Sequence, residues 1–359
     1  MIKKIAIMTA GGDCPGLNNV IYTVTKIALA KGVEVIGVLD GYKGFVEGSY
    51  VELTEEKVAK IYEEGGTILG SSNKECPFKY LVNKETKEYA DLTDLGIEKL
   101  NNIGVNHLIV VGGDGTLAAA KVIEERGMNV IGIPKTIDND MFASMPTIGF
   151  QTAVENVVDS IAKLRTTAYS HNRAIVVEVM GRTSGYLTLY SGIAAAADVI
   201  LLPEIEYDLD MVCDYVAKLR KNGKRDIILA VSEAAKEKGK DVTVAQIVED
   251  SFEQVRLGGV SKILAKQIEE KTGIETRATI LGHIQRGGVP CPNDRIIATR
   301  MARRAIYLLL EGKSGIIVGN SGEEVKEYPF PEKIYPRELD FENNELVKAA
   351  RDMGVCLGV

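Results

Sequence analysis

The run Ile5-Ala6-Ile7-Met8-Thr9-Ala10-Gly11-Gly12-Asp13-Cys14-Pro15-Gly16 decides how the chain is to be read. A short apolar strand passes directly into a glycine-rich turn, and the turn opens a helix. The charged start and brief apolar stretch mark a first strand and not a secretory leader. Outward from it, similar apolar, β-favouring runs fall at 35–39, 108–111, 130–133, 175–179, 199–202, 227–231 and 277–281. Helical patterns lie between them. Ala153, Val154, Val157, Val158, Ile161 and Leu164 keep helical spacing, as do Val260, Ile263, Leu264 and Ile268 in a segment ending at Gly273. Strands alternating with helices imply βαβ units and mainly parallel sheets.

A chain of 359 residues exceeds what one hydrophobic core fills, so two lobes with a cleft between them are expected, the first crossing falling near Phe150. With 45% hydrophobic and 26% charged residues, the composition is that of a globular protein and excludes disorder as the main theme. Lys and Arg number 43 against 50 Asp and Glu, and the net charge of −7 disfavours general affinity for nucleic acid or anionic membrane. An aromatic fraction of 6% without Trp also argues against a stacking platform for single strands. No apolar run reaches the ~18 residues of a membrane span. Five scattered cysteines without a CxxC pair fit neither a disulfide framework nor a zinc site, and point to the cytoplasm.

Glycine marks the candidate chemistry. In Gly11-Gly12-Asp13-Cys14-Pro15-Gly16 and in Gly112-Gly113-Asp114-Gly115-Thr116, a strand ends in a turn that lets backbone N–H groups approach an anion at a helix N-terminus. The second cluster fits the loose G-x-G-x-x-A fingerprint of dinucleotide sites. The acidic residue expected at the end of the next strand is missing, since that strand ends Ile133-Pro134-Lys135. No P-loop motif occurs either. A phosphate cradle holding Asp114 remains, with Asp114 suited to Mg²⁺.

Pro134-Lys135-Thr136-Ile137-Asp138-Asn139-Asp140 lies at the carboxyl end of a predicted strand, where open α/β sheets place their ligands. If this segment is extended, Asp138 and Asp140 point the same way, so one can accept a hydroxyl proton while the other serves a metal or orients the first. Paired carboxylates beside a phosphate cradle suggest phosphoryl transfer. Two further clusters follow strands, Met180-Gly181-Arg182-Thr183-Ser184-Gly185 and Gly282-His283-Ile284-Gln285-Arg286-Gly287-Gly288. A regular strand over 277–283 places Arg277 and His283 on one face with Arg286 beyond, a basic pocket for a phosphate. His107 reads as structural, His171 stays undecided, and Cys14 reads as a small residue that fits its turn.

Together GGDCPGLN, GGDGT, PKTIDND, MGRTSG and GHIQRGG, in this order, resemble the 6-phosphofructokinase family from Ile2 to about Gly312. GGDGT alone is also similar to NAD kinases and diacylglycerol kinases, which lack the other motifs. The resemblance implies two Rossmann-like three-layer α/β/α lobes with mainly parallel sheets. The donor lobe takes 1–149 plus about 285–334, and the fructose 6-phosphate lobe takes 150–284 plus about 335–359. It implies transfer of the γ-phosphoryl of MgATP to the 1-hydroxyl of fructose 6-phosphate in glycolysis. By motif position Asp138 is the base, with Thr136 and Asp140 beside it and Arg182 stabilising the transferring group. Asp114 matches the Mg²⁺ residue, and Gly12, Gly115 and Thr116 the ATP cradle. Lys135, Met180, Gly181, Glu233, His283 and Arg286 match sugar-phosphate contacts, which Thr136, Asp138 and Arg182 share. Arg173 and Arg277 match arginines supplied across a subunit interface, implying a homotetramer.

Three departures qualify the resemblance. Asn73-Lys74 stands where ATP-using bacterial relatives carry Arg-Phe after the GGT-x-LGS turn, leaving Lys74 to bridge donor and sugar phosphate. Gly115 looks like the ATP type, whereas Lys135 occurs in pyrophosphate-using members and in some ATP-using ones. A carboxylate at 115 would face the α-phosphate, at about 4 kcal/mol for like charges ~4 Å apart at an effective dielectric of ~20. Gly115 lacks that obstacle and favours ATP. Tyr22 and Lys26 replace two effector-site arginines, while Arg165, Lys224 and Glu204 keep part of that pattern, so regulation stays open. The alternatives are a pyrophosphate-dependent phosphotransferase and a non-catalytic regulatory relative.

Overall fold

The computed structural model describes residues 2–247 and 255–359. All eight apolar runs form strands within a residue or two of their expected positions. They build two sheets. The larger has seven strands in the spatial order Glu324–Pro329, Ile316–Ser321, Asn129–Pro134, His107–Gly112, Lys4–Thr9, Glu34–Val38 and Tyr50–Glu52. Its five inner strands run parallel, and an antiparallel strand closes each edge. The smaller sheet is wholly parallel, in the order Thr276–Ile280, Ala174–Val179, Ile227–Ser232 and Val199–Leu201.

Inner strands such as Lys4–Thr9 and Ile227–Ser232 are buried nearly throughout, which is why they read as continuous apolar runs without alternation. The helix Phe150–His171 follows the larger sheet's Asn129–Pro134 and leads into the smaller sheet. Asp294, in the helix Pro292–Leu310, accepts hydrogen bonds from the N–H groups of Gly149 and Thr152 at 2.9 and 2.8 Å and so caps that long helix. A shared core of Leu17, Ile21, Phe150, Ile161, Ile175 and Met301 runs between the sheets. One expected core position fails: Ile263 lies on the open side of the helix Val260–Thr272, which ends as read at Gly273 in the left-handed conformation.

Register fixes where the glycine turns emerge. Thr9 pairs with Val111, and Gly112 with Pro134, so the loops after these three strands leave the sheet side by side. The first strand is flanked by Glu34–Val38 on one side and His107–Gly112 on the other, the switch point at which open α/β sheets form a crevice. In the smaller sheet Ser232 pairs with Val179 and Ile280 with Glu178, bringing Met180, Glu233 and Leu281 to one edge. The two carboxyl edges face each other across a cleft.

The five cysteines are free thiols, four of them buried. Cys14 donates to the Ile148 carbonyl at 3.5 Å, and burial pushes its thiol up to about 12, as befits a packing residue. Among the described residues no helix is long and apolar enough to cross a membrane.

Candidate active site

The cleft has a volume of about 1040 Å³ and takes its walls from both sheets. Gly12, Asp114, Gly115, Thr116, Lys135, Thr136, Asp138 and Asp140 line the larger sheet's side. Met180, Arg182, Glu233, His283 and Arg286 line the other. Thirteen expected site residues, from Gly12 to Arg286, thus meet in one cavity.

Close backbone approach shapes the larger sheet's wall. Gly11 adopts φ +81°, and a Cβ there would sit 3.0 Å from the Thr116 hydroxyl oxygen. A Cβ on Gly12 would lie 2.8 Å from an Arg286 guanidinium nitrogen. Arg286 donates to the Asp13 carbonyl at 3.1 Å, and the Lys135 ammonium donates to the Gly12 carbonyl. Lys135 is only 3% exposed, and burial lowers its pKa. Two cations from opposite walls therefore meet over the first glycine turn.

The carboxylate loop forms a turn, not the extended segment that alternation assumes, because Asn139 takes φ +55°. The Asp138 N–H donates to the Thr136 hydroxyl at 3.1 Å. Asp138 is 5% exposed, and its Oδ1 is buried without a hydrogen-bond partner. Such an atom costs about 1–3 kcal/mol unless a ligand satisfies it. Burial first, then the charges of Asp138 and Asp114, push the Asp140 carboxyl up to about 7, against the opposing pull of Arg182. Glu233 accepts from the N–H groups of Gly181 and Arg182 at 3.2 and 2.9 Å, and burial raises its carboxyl to about 6.

Four expected residues lie elsewhere. Gly181 turns its N–H to Glu233 and does not line the cavity. Asn73 lines it, whereas Lys74 faces solvent, its N–H bonded to the Ser72 hydroxyl at 3.3 Å. Arg277 and His283 do not share a strand face. The strand stops at Ile280, Leu281 has helical torsions, and Gly282 at φ +54° opens a 3₁₀ turn over Gly282–Arg286. Arg277 sits at the amino-terminal end, ion-paired to Glu275 at 2.7 Å and Glu269 at 3.3 Å, and Arg173 pairs with the same Glu275 at 3.2 Å. Of the partial effector pattern, Arg165 pairs with Asp226 and Lys224 with Asp198, while Lys26 pairs with Glu55.

Glu178 escaped sequence reasoning. It is a buried acid in the apolar strand Ala174–Val179, lines the cleft, and caps the helix Val260–Thr272 through the N–H groups of Gly259 and Ser261. A lone carboxylate inside an apolar parallel strand was the available signal.

Sequence and structure comparisons place the chain among known proteins. The phosphofructokinase family model matches residues 4–309. ATP-dependent 6-phosphofructokinase 2 of Clostridium perfringens is 45% identical over 360 residues, covering 99% of this chain and 98% of that protein. Pyrophosphate–fructose 6-phosphate 1-phosphotransferase of Dictyoglomus thermophilum is 42% identical over 328 residues, 90% of each chain. Among solved structures, phosphofructokinase of Saccharomyces cerevisiae superposes with a TM-score of 0.77 at 29% identity over 91% of this chain, which spans 45% of the yeast chain. The pyrophosphate-dependent enzyme of Marinobacter aquaeolei, at 17% identity and a TM-score of 0.78, shares the fold. By its sequence over nearly its whole length, this chain belongs to the phosphofructokinase family.

Proposed function

We propose that this chain is a cytoplasmic, glycolytic 6-phosphofructokinase that transfers the γ-phosphoryl group of ATP to the 1-hydroxyl of fructose 6-phosphate. The observation that carries the reading is the unpartnered, buried Oδ1 of Asp138, set in a cleft between a glycine-built anion cradle and a basic wall. It is the acceptor that an attacking hydroxyl requires.

Asp138 takes the proton of the 1-hydroxyl as its oxygen bonds to the γ-phosphorus. The bond from that phosphorus to the β,γ-bridging oxygen breaks, and ADP leaves. Arg182 stabilises the charge on the transferring group. Asp140, with a pKa near 7, is partly protonated at neutral pH and so spares Asp138 the full repulsion of a second buried carboxylate. Thr136 holds the turn by accepting the Asp138 N–H. Gly12, Gly115 and Thr116 cradle the ATP phosphates, and Met180, Glu233, His283 and Arg286 face the sugar phosphate, with Lys135 between the two.

The donor set suits Mg²⁺. Asp114 lines the cleft beside the glycine cradle, where a carboxylate, waters and substrate phosphates would complete an oxygen site for the ion. Asp114 would hold it at the start of the helix Asp114–Glu125. When bound there, the ion would supply charge neutralisation to the donor phosphates.

ATP is favoured over pyrophosphate by Gly115, which leaves the α-phosphate unopposed. We assign 1–149 plus about 285–334 to the donor lobe and 150–284 plus about 335–359 to the sugar-phosphate lobe. Arg173 and Arg277 are assigned to the sugar phosphate of a neighbouring copy in a homotetramer. The test is Asp138→Ala: fructose 1,6-bisphosphate formation is expected to fall by at least about 100-fold, with fructose 6-phosphate still bound in a titration. Unchanged turnover would remove Asp138 from the chemistry.

A further inference from the structure

We infer that Arg337 is a positioning residue for phosphoryl transfer, holding the carboxylate loop from outside the cleft; the inference rests on the kinase reading above. Four of the loop's carbonyls are gripped from outside it. The Thr147 hydroxyl donates to the Thr136 carbonyl at 2.7 Å, and the Ser184 hydroxyl to the Asp138 carbonyl at 3.3 Å. Arg337 takes two more. Its guanidinium donates to the Asn139 carbonyl at 2.7 Å, and its backbone N–H donates to the Asp140 carbonyl. Asn139 is the residue at φ +55°, and its side-chain oxygen also accepts the Thr147 N–H at 3.0 Å.

Arg337 is itself held. Its guanidinium carbon lies 4.7 Å from the centroid of the Tyr186 ring, and the Tyr186 hydroxyl donates to the neighbouring Glu338 carbonyl at 3.3 Å. On one side Pro336 bridges to Met141 and reaches the cleft wall. On the other, Leu339 and Phe341 are buried in the shared core. Tyr186 opens the helix that follows the Arg182 loop, so one side chain ties the carboxylate loop to the segment that carries the expected charge-stabilising arginine. Its contacts with the loop are to main-chain carbonyls, while its other guanidinium nitrogen donates to the Met145 sulfur at 2.9 Å, so Arg337 acts by fixing where Asp138 stands. A displacement of about 1 Å at such a group can cost on the order of 100-fold in rate.

The test compares the parent chain with Arg337→Ala and Arg337→Lys, measuring kcat per folded molecule and fructose 6-phosphate and ATP affinities by direct titration. Arg337→Ala is expected to lower kcat about 10- to 100-fold while both affinities stay within about threefold. Guanidinium ion at tens of millimolar should restore part of that loss, and ethylammonium should not, because only the planar fork spans the Asn139 carbonyl and the Tyr186 ring. Arg337→Lys should fall between. If Arg337→Ala folds too poorly to assay, the lysine variant carries the same kcat test. An unchanged kcat, or equal losses of kcat and both affinities without guanidinium rescue, overturns the inference. A parent chain that turns over neither ATP nor pyrophosphate refutes the kinase reading, and the inference falls with it.

Discussion

Lys135 and Arg286 at the cleft and Arg173 and Arg277 at the far end of the smaller sheet are similar residues with opposite surroundings. The first two donate to the backbone of one glycine turn, where a substrate phosphate can meet them. The second two share the carboxylate of Glu275, and the Arg277 side chain is 51% exposed. Direction along the strand makes the difference. Arg173 immediately precedes the strand Ala174–Val179, and Arg277 pairs with Ile175 near that strand's start, whereas the cleft lies at the carboxyl ends. That separates them by roughly 15 Å at ~3.3 Å per residue. Cations at the carboxyl edge line this chain's own cleft, and those at the amino edge lie away from it.

The sharpest way to break this contrast is Arg286→Ala. Loss of a charge-assisted contact of about 1.5–3 kcal/mol should weaken fructose 6-phosphate binding by roughly 10- to 150-fold while ATP affinity changes little. Isothermal titration with each ligand checks it, and equal losses for both would mean that Arg286 does not divide the cleft as drawn. Next in size is Asp140→Asn. The acid's pKa stands near 7 in the fold against an ordinary 3.8, so its burial costs stability progressively as pH rises from about 4 towards 7. The amide does not titrate. Its stability advantage over the parent should therefore grow by roughly 1–2 kcal/mol between pH 5.5 and pH 8 in urea unfolding; an advantage that shrank with pH would reverse the sign of the assigned shift. The smallest effect belongs to Arg277→Ala, an exposed pair worth under about 1 kcal/mol and less at high salt. If fructose 6-phosphate binding nevertheless falls strongly, and only at concentrations where the chain is tetrameric by sedimentation, a neighbour's cleft is the place where Arg277 works.

Most of the parallel framework was legible because strands buried on both faces are continuous apolar runs, and their glycine turns fall at fixed places after them. The site's backbone-built half was legible for the same reason. The Arg277–His283 pairing misled because alternation was extended past Ile280, where Gly282 turns the chain. The strands Ile316–Ser321 and Glu324–Pro329 went unseen, the second being an edge whose Glu324, Lys326 and Glu327 are exposed and break the apolar pattern. Arg337 left no signal at all. Its partners in the carboxylate loop are main-chain carbonyls about 200 positions away, and no side-chain pattern encodes them.

The most direct measurement is the rate of fructose 1,6-bisphosphate formation by the purified chain with Mg²⁺ and fructose 6-phosphate, ATP and pyrophosphate being compared at matched concentrations. Faster turnover with ATP is expected from Gly115 in the cradle. Turnover with pyrophosphate alone would assign the donor to Lys135 and Asn73 instead, and turnover with neither would contradict phosphoryl transfer to this sugar phosphate.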